Sequence, residues 1–92
     1  MSVIRKEGRV RGRVQGVGFR FFTERTARPL GVTGWVRNCM DGSVEFQVQG
    51  PAEKVKQFIC ELREGPPFGR VDSMDVSDRQ IIEGEAGFSI RY

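Results

Sequence analysis

Ninety-two residues carrying a formal charge of +3 make one domain without room for a large internal cavity, since a chain of this size buries only about two thirds of the surface it exposes when unfolded. Histidine is absent, which removes the commonest general base, the Ser-His and Cys-His nucleophile pairs and most transition-metal sites. Cys39 and Cys60 fit no metal spacing, no apolar run approaches the ~20 residues of a membrane span, and the charged N-terminus has no signal-peptide core, so a cytoplasmic chain with reduced thiols is the expectation.

The first element is GRVRGRV, Gly8 to Val14, in which Val10, Gly12 and Val14 alternate with Arg9, Arg11 and Arg13. That is a half-buried strand. Its basic face, preceded by Arg5 and Lys6 with Glu7 the only acid, reads either as a solvated surface or as a positive field for an anionic ligand. QGVG breaks the alternation. From Phe19 the period changes, and Phe19, Phe22, Thr23, Thr26, Ala27 and Leu30 form one helical stripe. Pro29 clashes with a preceding turn in a helix interior, which predicts a helix end near Arg28, with Gly31 reversing the chain.

Val32 to Asn38, VTGWVRN, is a second strand, and Asp41-Gly42 a hairpin turn. In SVEFQVQ, Val44, Phe46 and Val48 face inward and Glu45, Gln47 and Gln49 outward. GPAEKVKQFICELREG is a second helix with Pro51 in its first turn and a stripe of Val55, Phe58, Ile59 and Leu62; Cys60 lies off the stripe. Val71 to Val76 has disturbed alternation and predicts a bulged or irregular edge strand. IIEGEAG is a loop, and FSIRY a short closing strand with Phe88, Ile90 and Tyr92 on one side. The order predicts an α+β, ferredoxin-like split βαβ sandwich: residues 1–92 as a single domain, two helices on one face of an antiparallel four- to five-stranded sheet.

QGVGFR, Gln15 to Arg20, is neither a P-loop, for want of the Gly-Lys-Ser/Thr ending, nor a Rossmann fingerprint, for want of the third glycine. Its position is informative. It joins a strand to a helix start, where the first N–H groups have no helical partner and the macrodipole is positive. Gly16 and Gly18 can adopt positive φ, letting successive N–H groups converge on an oxyanion. Arg20, off the apolar stripe, adds a planar cationic fork that suits two phosphate oxygens.

GRVQGVGFR followed by GVTGWVRN, DGSVE and a final FSIRY resembles the acylphosphatase family across nearly the whole chain. The resemblance implies the ferredoxin-like fold and hydrolysis of the carboxyl-phosphate bond of acyl phosphates, with no metal or organic cofactor. It implies that Arg20 is the phosphate-binding catalytic arginine. It makes Gln15, Gly16, Val17, Gly18, Phe19 and Arg20 the phosphate cradle, and Asn38 the residue that positions the attacking water. In the ferredoxin-like order the first and third strands are central and the second lies beside the third, which predicts that the loop and Asn38 reach the same end of the molecule. The expected partner is a small acyl phosphate. A monomer is expected, with no nucleic acid, since the first strand lacks the exposed aromatics of an RNA-binding sheet and Phe46 alternates with core valines. An accessory module that keeps the anion cradle without turnover is the other reading.

Overall fold

The computed structural model describes residues 2–92. The elements run β1 (Val3–Arg13), α1 (Phe19–Leu30), β2 (Thr33–Asn38), β3 (Val44–Pro51), α2 (Ala52–Glu64), β4 (Arg70–Arg79) and β5 (Phe88–Arg91). They build a five-stranded sheet in the order β4-β1-β3-β2-β5, with both helices packed on one face. Alternation in β1 and β3 sends Val10, Val44, Phe46 and Val48 under the helices, where Phe19, Ala27, Val55, Phe58 and Leu62 meet them. The rings of Phe46 and Phe58 pack edge-on at 5.5 Å. Gly8 makes room for this: a Cβ there would stand 2.2 Å from the Phe46 ring.

Two expectations need correction. The sheet is mixed, because β5 pairs parallel with β2 while every other pairing is antiparallel. A loop of eight residues, 80–87, crosses the sheet before β5 begins, and that crossing delivers the last strand in the parallel sense. Helix α1 also continues past Arg28 to Leu30 with Pro29 inside it. Proline costs a helix one backbone bond and crowds the carbonyl four residues back. In the last turn that loss is confined to a single bond, and Gly31 closes the helix with its N–H on the Arg28 carbonyl at 3.2 Å. The irregular fourth strand is as expected: Arg11 pairs with Ser73 and Gly12 with Val71, so Asp72 is an extra residue in β4.

The face of the sheet opposite the helices holds a polar network. Arg5, 2% exposed, lies under the 80–87 loop. It donates from Nη1 and Nη2 to the Glu85 carboxylate at 2.8 and 3.1 Å, and from Nε to Gln47 Oε1 at 2.7 Å. Gln49 clasps the same loop, accepting from Ile82 N–H and donating to Ile82 O. Burial drives the Glu85 carboxyl upward, but hydrogen bonds from Arg5 and Thr33 outweigh it and hold Glu85 below the ordinary carboxylate range. A buried cation that loses its partner is costly, so Arg5 and Glu85 hold the loop to the sheet.

Because Glu85 is depressed on folding, its contribution is present above the ordinary glutamate range and is lost as pH falls through the lower folded value. Urea denaturation should therefore show stability declining below about pH 4, with a shallower decline in Glu85→Gln. An unchanged acid slope in that variant would contradict the assignment.

Candidate active site

The strand-to-helix connection folds as its glycines require. Gly16 and Gly18 sit at φ 75° and 76°, the left-handed region that a side chain resists. Gly18 is the N-cap of α1, and the first helical bond runs from Phe22 N–H to Gly18 O at 2.9 Å. The N–H groups just ahead of it have no partner among the described residues, and the first turn carries no acidic side chain. This is an electropositive concavity without an internal anion.

A cleft of about 130 Å³ opens here, lined by Val14, Gly16, Gly18, Phe19, Arg20, Phe21 and Asn38. The molecule has roomier hollows, such as one of about 320 Å³ beside the start of α2. The cleft differs from them in its chemistry: a guanidinium, a carboxamide and a glycine-rich helix start converge in it. Arg20 donates from Nη1 to the Arg91 carbonyl at 3.2 Å, and its guanidinium stacks on the Tyr92 ring at 4.6 Å. The fork is thus held from β5 through one of its five N–H groups, leaving the rest free. Arg20 makes no ion pair among the described residues. Asn38 ends β2 and is exposed, and its amide has no hydrogen-bond partner among the described residues.

Five of the seven residues expected from sequence line this cleft: Gly16, Gly18, Phe19, Arg20 and Asn38. Gln15 and Val17 do not. Val17 packs against the core. The Gln15 amide turns the other way, donating from Nε2 to the Cys39 and Ser43 carbonyls at 2.8 Å each. Both partners are acceptors, so the nitrogen must face them. The link matters because the loop and Asn38 do not lie on neighbouring strands: β3 stands between β1 and β2. Val14 and Phe21 were not anticipated. Val14 reads as core, and an aromatic in a helical first turn has no distinguishing spacing.

The turn that carries Asn38 is stiff. Cys39 N–H donates to Ser43 O at 2.8 Å, and Gly42 N–H to Cys39 O at 3.2 Å. Asp41 Oδ1 accepts from both the hydroxyl and the N–H of Ser43. Those two bonds lower the Asp41 carboxyl to about 2. The basic face of β1 is largely neutralised here: Arg9 pairs with Asp41 and Glu45, Arg11 with Asp41, and Arg37 also with Glu45. Arg9 and Arg11 therefore hold the sheet and the turn together, which favours the structural reading of that face over substrate gathering.

The acylphosphatase family model matches residues 6–90. The chain belongs to the acylphosphatase family. It is 48% identical to an acylphosphatase of Syntrophotalea carbinolica over 93 aligned positions, covering both chains completely. To an acylphosphatase of Clostridium beijerinckii it is 44% identical, over 98% of this chain and 100% of the relative. Among solved structures, the crystal structure of acylphosphatase from Bacillus subtilis superposes with a TM-score of 0.92 at 37% identity, covering 99% of this chain and 100% of that one. The acylphosphatase fold is therefore shared from end to end, and the cleft is this family member's candidate active site.

The Gln15 brace generates a direct test. Gln15→Leu removes one of the two donors on each of the Cys39 and Ser43 carbonyls, which keep their backbone partners, and should cost about 1–3 kcal/mol in urea denaturation, the net worth of two ordinary hydrogen bonds. Gln15→Glu, which sets an acceptor against two acceptors, should cost more than Gln15→Leu. Equal stabilities for both variants and wild type would show that the brace carries no load.

Proposed function

We propose that the protein hydrolyses acyl phosphates to a carboxylate and inorganic phosphate by in-line attack of water on phosphorus. Family membership supports the reaction class. The observation that carries the residue assignment is that Gly16, Gly18, Arg20 and Asn38 line one cleft.

The phosphoryl group sits at the start of α1, against the unpaired N–H groups of the 15–20 loop, with the free N–H groups of Arg20 on its oxygens. In-line displacement passes through a loose transition state whose charge spreads over the equatorial oxygens, so catalysis is mostly positioning and charge stabilisation. Preorganised donors aimed at such charge contribute about 3 kcal/mol each. Asn38 cannot take a proton near neutral pH, but its amide donates and accepts at once and so holds a water in line. The water oxygen forms a bond to phosphorus while the bond to the acyl oxygen breaks. The electron pair leaves with the carboxylate, and the water proton passes to a phosphate oxygen.

A carboxylate departs as a stable anion near neutral pH, so no general acid is needed, which suits a chain without histidine. Charge stabilisation is assigned to the guanidinium and the backbone, and turnover insensitive to chelators is the matching expectation. Every group named comes from one chain, so a monomer suffices. Within the cell, the cytoplasm is the assigned compartment.

Phosphate release from benzoyl phosphate is the measurement. Arg20→Ala and Asn38→Ala should each lower kcat/KM by about 10² to 10³-fold. Arg20→Lys should recover little, since an ammonium lacks the planar fork. Wild type no faster than these variants would remove the enzyme reading in favour of a binding module.

A further inference from the structure

Phe21 is a large aromatic side chain in the first turn of α1, and it is 59% exposed. It has no place in the core: Phe19 and Thr23 on the same helix are buried, and Phe22 packs against the core. Yet Phe21 lines the cleft together with Arg20 and Asn38.

Displacement geometry says what such a ring would meet. The entering water and the departing acyl oxygen stand on opposite sides of phosphorus. Asn38 is the only lining residue that comes from β2; all others belong to the stretch from Val14 to Phe21. With the water held at Asn38, the acyl group leaves on the side of phosphorus away from it. The cleft is an open surface hollow, and the side chains at its rim, Arg20, Phe21 and Asn38, are partly or largely exposed. The substituent therefore lies at the mouth. Val14 and Phe19, each 1% exposed, face the core, the glycines offer no side chain, and Tyr92, which stacks under the Arg20 guanidinium, does not line the cleft. Phe21 is what remains.

We infer that Phe21 is a specificity-determining residue whose ring packs on the acyl substituent and favours flat, apolar acyl phosphates over small ones. This rests on the hydrolase reading above. The contribution acts on the acyl group and not on the phosphate, because Phe21 offers phosphate only a main-chain N–H, which any side-chain substitution leaves in place.

The test compares benzoyl phosphate with acetyl phosphate. In Phe21→Ser, kcat/KM for benzoyl phosphate should fall about tenfold, the factor expected from losing a partly buried ring contact, while acetyl phosphate stays within about twofold of wild type. Phe21→Leu should recover part of the loss. Wild type alone supplies an independent readout: benzylphosphonate should inhibit competitively at lower concentration than methylphosphonate. Turnover of both substrates with an unmoved benzoyl-to-acetyl ratio, or equal inhibition by the two phosphonates, overturns the role of Phe21 and leaves the hydrolase reading intact. Absence of turnover of either substrate by wild type overturns the hydrolase reading, and this inference with it.

Discussion

The candidate site depends on one carboxamide. The loop that offers unpaired N–H groups follows β1, whereas Asn38 ends β2, and β3 separates the two strands. Backbone pairing alone would leave the halves of the cleft joined only through an intervening strand. Gln15 spans the gap with two 2.8 Å bonds to the carbonyls of Cys39 and Ser43. Those carbonyls sit on the turn that follows Asn38, and Cys39 and Ser43 are also bonded to each other. A displacement of the loop is therefore transmitted to the turn. The proposed alignment of a water by Asn38 is sensitive to small errors, and a neutral donor on two carbonyls provides rigidity without adding charge beside the candidate site.

A second linkage reaches the site from the far face of the sheet. Arg5 and Gln49 pin the 80–87 loop, and Gly34 N–H then donates to the Gly87 carbonyl at 3.1 Å as β5 begins. From that start β5 runs parallel to β2, bringing Arg91 beside Arg37. The Arg91 guanidinium lies over the Trp35 ring at 4.6 Å, and its carbonyl meets Arg20. The cation that β5 steadies is thus positioned through a strand whose arrival depends on a buried ion pair roughly opposite the helices. Arg9, Arg11 and Arg37 meanwhile spend their charge on Asp41 and Glu45, while Arg20 faces no acid that a phosphate would have to displace.

The elements readable from sequence were those with one apolar and one polar face. Val10 alternating with arginines, Val44, Phe46 and Val48 alternating with Glu45, Gln47 and Gln49, and the two helical stripes all mark the edge of the apolar core, although Glu45 and Gln49 are themselves buried in the polar network on the other face of the sheet. The disturbed fourth strand was readable because the extra residue, Asp72, breaks the period. Where a feature depended on a contact distant in sequence, periodicity failed. Arg5 sits in a run of charges and looks exposed, but it is buried by Glu85, eighty residues on. The parallel sense of β5 comes from the path of the 80–87 loop, which has no local signature. Gln15 looked like part of the cradle because it adjoins the glycines; only the fold decides that its side chain points to the turn. Gly16, Gly18, Arg20 and Asn38, singled out in the sequence by residue type and position, line one cleft.

The glycines separate into two kinds, and the difference bears on what the site is made of. At Gly8 and Gly34 a Cβ would collide, with the Phe46 ring at 2.2 Å and with the Gln47 carbonyl oxygen at 1.9 Å. Those glycines serve packing. At Gly16 and Gly18 a Cβ would meet nothing within 4 Å, so no neighbour requires them to be small. What requires glycine there is φ, 75° and 76°, a conformation that costs an L side chain roughly 1–2 kcal/mol per residue. The chain adopts positive φ at two positions flanking Val17, just before a helix, where a Cβ would meet no neighbour, and the N–H groups of that loop are left without partners among the described residues. Glycine at both positions therefore answers to the conformation of the proposed anion cradle and not to the core beneath it.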